Sequence, residues 1–244
     1  MTVPRIFIDC ELQDAGLLEL PREAAHHLST VLRRKPGDRL TLFNGNGYEY
    51  NASIKSLEKR HVNVRLDGRA NSCHHRESPL HIHVGLALTK GQKMDLAIQK
   101  LVELGVNRIT PLVGSRSVVK LDQKREASRL AHWHGVIISA CEQSGRCIIP
   151  EISDVCSIDE WPGLCMEDMR LILDPRASVS MRELTDFHSV ALAVGPEGGF
   201  SNDEVMSLVG QGVQSVRLGN RILRAETAPL AAVSVLQTLH GDFC

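Results

Sequence analysis

Aromatic residues make up only 4% of this 244-residue chain. That leaves little material for a protein that holds nucleic acid mainly by stacking bases on rings. No apolar run is long enough to span a bilayer, and the opening Met1-Thr2-Val3-Pro4-Arg5 lacks the basic-then-apolar pattern of a secretory signal. The seven cysteines, at 10, 73, 141, 147, 156, 165 and 244, are odd in number and form no C-x-x-C pair. Free thiols in a reducing cytoplasm are expected, and a disulfide framework is not. The dinucleotide G-x-G-x-x-G pattern, the P-loop and the G-x-S-x-G nucleophile elbow are all missing, which removes the support for those three chemistries. Net charge is only −1, so bulk charge does not mark a nucleic-acid binder.

What is present divides the chain in two. Residues 1–73 read as a small, mostly β domain, and 74–244 as a second domain. In the first, Arg5-Ile6-Phe7-Ile8 is a short strand. Ala24, Ala25, Leu28, Val31 and Leu32 recur at helical spacing after Pro21, and Pro36-Gly37-Asp38 stops that helix. The strands Arg39–Phe43 and Tyr48–Ile54 flank Asn44-Gly45-Asn46-Gly47, whose residues tolerate positive φ and predict a hairpin. His61–Leu66 alternates as another strand. Several short strands around one helix suggest a small barrel. Residues 1–73 carry 11 Lys/Arg against 9 Asp/Glu, with the densest basic cluster at Arg33-Arg34-Lys35. Such a patch can bind phosphates on a protein of no net charge; a solvated helix end is the alternative.

The polar segment 71–79 reads as a linker. Beyond it strands and helices alternate: strand 81–88, a helix with Met94, Ala97, Ile98, Leu101 and Val102 on one face and Gly105 closing it, strand 108–113, and a helix over roughly 123–143. Strands follow at 171–173, 190–194 and 213–218, then a helix from Thr227 to about Leu239. This grammar predicts an α/β domain with a mainly parallel sheet.

Two loops in that domain carry the chemistry. Gly195-Pro196-Glu197-Gly198-Gly199 follows a buried strand and precedes Ser201-Asn202-Asp203-Glu204, a capping box that starts a helix. Leu218-Gly219-Asn220-Arg221-Ile222-Leu223-Arg224-Ala225-Glu226-Thr227-Ala228-Pro229 sets two arginines among apolar residues before another helix, with Thr227 as its expected cap. Each loop lies where α/β proteins bind ligands, beyond the carboxyl end of a strand. A tight turn is the alternative for the first loop, and solvated charge for the second. His81/His83 share one face of a strand and His132/His134 diverge on a helix. With no neighbouring Cys or carboxylate in sequence to complete a tetrahedral set, no metal is expected.

Taken together, His27–Arg33 with Gly37-Asp38, Lys93–Val106, Glu142-Gln143-Ser144-Gly145-Arg146 and the two glycine loops resemble the RsmE family of bacterial 16S ribosomal RNA (uracil-N3)-methyltransferases, in the SPOUT superfamily, along nearly the full length. The resemblance implies a PUA-like β-barrel domain that helps hold RNA, an α/β domain with a trefoil knot, S-adenosylmethionine as cofactor, a cytoplasmic homodimer, and a 16S ribosomal RNA substrate in the assembled small subunit. It places the cofactor at Leu173, Val194, Gly195, Pro196, Glu197, Gly198, Gly199, Leu218, Gly219, Ile222, Leu223, Arg224, Thr227 and Ala228. For the chemistry, Arg224 is the expected cation near the uracil oxygens and Glu197 the expected proton acceptor, with backbone capping as the alternative for Glu197. For RNA the expected residues are Arg33, Arg34 and Lys35, then Arg5, Lys90, Lys93, Arg116 and Arg146. A SPOUT enzyme with a ribose or transfer-RNA target, and a non-catalytic RNA-binding assembly protein, are the alternatives.

Overall fold

The computed structural model describes residues 3–58, 61–117, 123–185 and 187–243. The chain forms two compact units, one of residues 1–77 with 141–149 and one of 78–140 with 150–244.

The first unit is built on one five-stranded sheet. Its elements are β1 (Arg5–Phe7), β2 (Gly16–Glu19), α1 (Arg22–His26), β3 (Arg39–Phe43), β4 (Tyr48–Glu58) and β5 (His61–Ser72), with strand order β1-β3-β4-β5-β2. The expected barrel is an open path in its hydrogen bonding: β1 and β2 are its edges, and no strand pair among the described residues joins them. The Asn44–Gly47 hairpin forms as predicted, with Gly45 and Gly47 both left-handed at φ 87° and 82°. Alternation in β3, β4 and β5 turns Leu40, Leu42, Ala52, Ile54, Val62 and Val64 into one core, which Leu28 completes from the helical segment. That segment is shorter and looser than its apolar spacing predicts. After α1 the chain continues as one π-turn over His27–Val31, closed by Leu32 N–H bonding to the His27 carbonyl. It ends at Arg33, a non-glycine residue at φ 50°.

The segment read as a linker, 71–79, contains the boundary between the two units at 77/78; β5 runs into it as far as Ser72, and a 3-10 turn occupies His74–Arg76. One expectation fails in this unit: the cysteines are not all free, because Cys73 and Cys147 form a disulfide. Their separation of 74 residues hid the pairing from any spacing argument. Cys10, Cys141, Cys156 and Cys165 are free, and Cys244 lies outside the described residues.

The second unit contains β6 (His81–Ala87), α2 (Lys93–Glu103), β7 (Arg108–Val113), α3 (Gln123–Ser144, its last turn counted with the first unit), β8 (Glu151–Ile152), β9 (Cys156–Ser157), β10 (Met169–Leu173), β11 (Ser189–Val194), α4 (Asn202–Gly210), β12 (Gln214–Val216) and α5 (Thr227–His240). Its sheet runs β12-β10-β11-β6-β7-β8, with β9 also on β7, and every pairing is parallel. Strands buried on both faces read as continuous apolar runs, as in Val190–Val194, where every residue is buried. Because β10 lies between β11 and β12, three strands end side by side, at Leu173, Val194 and Val216. The two glycine loops grow from the second and third of these ends.

Candidate functional site

The first loop is held from below by a carboxylate. Ser201 accepts the Glu204 backbone N–H, and Glu204 answers by accepting the Ser201 N–H at 2.7 Å through Oε2. Its other oxygen, Oε1, accepts the Ser115 N–H from the loop after β7 at 2.6 Å. Burial pushes this carboxyl up, but the hydrogen bonds from Ser201 and Ser115 outweigh it and hold Glu204 below the ordinary carboxylate range. From above, the Arg116 guanidinium donates to the Gly198 carbonyl at 2.7 Å. Gly199 is left-handed at φ 64°, and a Cβ on Gly195 would come within 3.2 Å of the Gly199 and Phe200 backbone. The loop therefore turns tightly only because these positions lack side chains.

Both loops wall one pocket of about 390 Å³, a size that suits a nucleoside-sized cofactor. Leu173, Val194, Val216, Leu218, Ile222 and Leu223 give it apolar sides, and the Gly195–Gly199 backbone gives it a polar rim. At Gly219 a Cβ would point into open space. Every residue expected at the cofactor lines this pocket except Arg224 and Thr227. Thr227 is the first residue of α5 rather than its cap; Glu226 stands at the cap without a side-chain bond. Residues missed from sequence also line the pocket, among them Asp174, Arg176 and Arg217. Asp174 and Arg176 form an ion pair at 2.9 Å directly after β10. Polar residues at that strand end were the signal available.

The charged groups beside the pocket converge from three elements. Lys93, at the start of α2, bonds Glu197 of the first loop at 2.9 Å and lies 3.8 Å from Glu226 of the second. The bond to Glu197 raises the Lys93 ammonium, and the neighbouring Arg224 charge opposes that rise. The same bond holds the Glu197 carboxyl below its ordinary range. Arg224 is exposed, and its carbonyl accepts the N–H groups of Thr227 and Ala228 at the helix start.

The expected RNA residues separate into two sets. Arg33, Lys35 and Lys90 are exposed, and Arg34 and Lys93 half-buried. Arg116 is exposed but engaged with the glycine loop. Arg5 and Arg146, expected at RNA, are instead engaged within the protein. Arg5 pairs with Glu49 at 2.8 Å, donates to the carbonyls of Cys141, Glu142 and Arg146, and lies over the Phe43 ring. Arg146 has a side chain only 3% exposed and pairs with Glu77 at 2.7 Å. Both side chains are spent inside the first unit, where they tie residues 141–149 to the sheet. A cation in a sequence carries no mark of the carboxylate that will meet it 44 or 69 residues away.

The second unit also gathers a buried polar cluster that sequence spacing argued against. His83 is fully buried in β6, and its Nδ1 lies 3.1 Å from Glu167 Oε1. The Cys165 sulfur is within 4.8 Å of both ligand atoms. Burial raises Glu167, but the bond and charge of His83 outweigh it, so its carboxyl is lowered overall. The fold thus brings to His83 a Cys and a carboxylate that its neighbours in sequence do not supply. A second group, Glu49 with Cys73 and Cys147, offers no thiolates because the two sulfurs are bonded to each other.

Comparison with known proteins follows the same two-part division. Residues 76–237 match the model of an RNA methyltransferase domain, and residues 20–67 that of an RNA methyltransferase PUA domain. Ribosomal RNA small subunit methyltransferase E of Buchnera aphidicola is 35% identical over 243 residues, covering 99% of this chain and 95% of the relative. The protein of that name from Bacillus subtilis is 30% identical, covering 98% and 99%. Among solved structures, the one of that name from Neisseria gonorrhoeae, bound to S-adenosyl methionine, superposes with a TM-score of 0.92 at 36% identity over the whole of both chains. A methyltransferase from Legionella pneumophila in complex with SAM superposes at 0.96 with 42% identity, again over the whole of both chains.

Proposed function

The chain belongs to the ribosomal RNA small subunit methyltransferase E family, and on that premise we propose that it methylates N3 of a uridine in 16S ribosomal RNA, with S-adenosylmethionine as cofactor. The observation that carries this reading is the single pocket walled by both glycine loops at three adjacent strand ends. The fit to the cofactor is chemical as well as spatial. Apolar walls suit a purine ring, and glycine backbone allows close approach and offers peptide groups to the polar edges of a ligand.

When bound, S-adenosylmethionine supplies an electrophilic methyl carbon. The residues of this chain have two further tasks, alignment and handling of the N3 proton. Uracil N3 attacks well only once its proton has left, so cations near O2 and O4 assist by stabilising the anion. Arg224 is the proposed cation. Glu197, expected to take the proton, is ion-paired and lowered in proton affinity, which makes it a weak base. Its proposed part is to hold Lys93 beside the pocket as a second cation, the proton leaving to solvent. Arg224→Ala is expected to reduce methylation with at most a modest loss of cofactor affinity, and Glu197→Gln to retain more turnover than Lys93→Ala. Single-turnover rates beside calorimetric cofactor titration check both.

The remaining parts of the reading concern the assembly. The PUA-like unit is proposed to hold RNA through Arg33, Arg34 and Lys35. The trefoil knot and the domain limits near residue 73 belong to the same reading. Homodimerisation is supported by Ile222, an apolar pocket residue 86% exposed in the single chain. Among the described residues no helix is long and apolar enough to cross a membrane, and the cytoplasm, where ribosomes assemble, is the proposed location. The test incubates the protein and labelled cofactor with naked RNA or with assembled small subunits, then maps the modified base by mass spectrometry. Label on uridine N3 in assembled subunits is expected. A methylated ribose, or no transfer to either substrate, would overturn the reading.

A further inference from the structure

We propose that His81, His83, Cys165 and Glu167 form a binding site for a zinc-like divalent metal ion, separate from the cofactor pocket. The pocket opens at the carboxyl ends of β10, β11 and β12. This cluster lies at the opposite, amino-terminal edge of the same sheet, at the start of β6 and just before β10.

Three of the ligand atoms already cluster: those of His83, Cys165 and Glu167 lie within 4.8 Å of one another, with His83 Nδ1 3.1 Å from Glu167 Oε1. His81 stands at the rim of this group, its Nδ1 4.0 Å from the same oxygen. Four ligands at about 2.0–2.3 Å from a tetrahedral ion stand roughly 3.5 Å apart, so the three draw in slightly and His81 turns inward to close the shell. Two imidazoles, one thiolate and one carboxylate form a mixed set suited to a borderline-soft cation.

Hydrogen bonding points the same way. Thr110 Oγ1 lies 2.8 Å from His83 Nε2, and the Trp161 ring packs 5.6 Å from the imidazole. A partner at the second ring nitrogen orients a metal-binding histidine. The Thr110 hydroxyl can accept from Nε2–H, which leaves the Nδ1 lone pair facing Glu167 for a cation to bridge. The buried Nδ1 of His83 has only Glu167 Oε1, at 3.1 Å, beside it, and the buried Oε2 of Glu167 has no hydrogen-bond partner. Their side chains are 0% and 5% exposed, so water compensates neither freely. His81 is half exposed and gives the ion a route from solvent. On binding, the Cys165 thiol, which otherwise donates to the Trp161 carbonyl at 3.3 Å, releases its proton to solvent. The rival state is metal-free: His83 carries a proton on Nδ1 and donates it to Glu167, Nε2 either accepts from the Thr110 hydroxyl or is protonated as well, and Cys165 has no role.

Cobalt(II) titration of the chelator-stripped, full-length protein separates the two. Expected are one equivalent per chain, a thiolate-to-cobalt charge-transfer band, and a higher melting temperature with the metal. Cys165→Ser is expected to lose the band while still binding S-adenosylmethionine. No band with the folded wild-type protein overturns the site, and so does a band that persists in Cys165→Ser. Should that variant fail to fold, His81→Ala, at an exposed position, is expected to weaken cobalt binding about tenfold or more, and an unchanged midpoint overturns the four-residue site.

Discussion

Glu204 shows how one side chain can set a binding loop. Both its oxygens are engaged by backbone donors, Oε1 by Ser115 and Oε2 by Ser201. Glu204→Gln must therefore turn an amide NH2 toward an N–H group, whichever way it flips. A loss of about 1–3 kcal/mol is expected, measured by denaturant unfolding, with weaker cofactor binding because Gly198 and Gly199 lose their support. Its lowered carboxyl sets a pH dependence as well. A depressed folded-state pKa contributes stability that is complete above the unfolded-state value and disappears as pH falls through the folded one. Unfolding curves across the acid range are expected to show that loss in the wild type and not in Glu204→Gln. Arg146 is a second residue whose role is structural. Arg146→Met leaves Glu77 buried without its charge partner, and a destabilisation of about 3–5 kcal/mol is expected. RNA affinity of the folded fraction is expected to stay unchanged, measured by filter binding.

At the scale of elements, the helices and most strands follow local pattern closely. Ser201 caps α4 through the box its sequence announces, and Gly105 and Gly145 close α2 and α3 with positive φ. Apolar runs bounded by polar turns mark β6, β7, β10 and β11. Elements with little burial to pattern them were not legible. These are β2, mostly exposed, and the two-residue β8 and β9. The π-turn at His27–Val31 was also hidden, since apolar spacing does not distinguish a five-residue bond from a four-residue one. The glycine loop allows a direct test. Gly199→Val forces a β-branched residue into left-handed backbone, at about 1–3 kcal/mol. Calorimetry is expected to find cofactor affinity reduced, with α4 helicity retained by circular dichroism.

For the whole molecule, charge sums to only −1 and is uneven in placement. Charge reversal at Arg33, Arg34 and Lys35 is expected to weaken RNA binding and flatten its salt dependence, because each lost phosphate contact releases fewer counterions. Equal slopes in variant and parent would place the RNA surface elsewhere. The cofactor, binding only the folded chain, is expected to stabilise it by about 2.7 kcal/mol at a hundred times its dissociation constant, read as a shift in thermal melting.

By itself the sequence determined the alternation of elements, the parallel grammar of the second unit, the position of the glycine loops and, through joint motifs, the family. These depend on residues close together in the chain, where periodicity, capping and turn chemistry act. Only the tertiary structure decided which distant groups meet. It put Arg5 and Arg146 into buried pairs, joined Cys73 to Cys147, and set Lys93 against Glu197. It also carried Cys165 and Glu167 to His83, by laying β11 beside β6 and β10 beside β11. Strand order in a parallel sheet is a long-range property, and a local pattern in the chain holds no record of it.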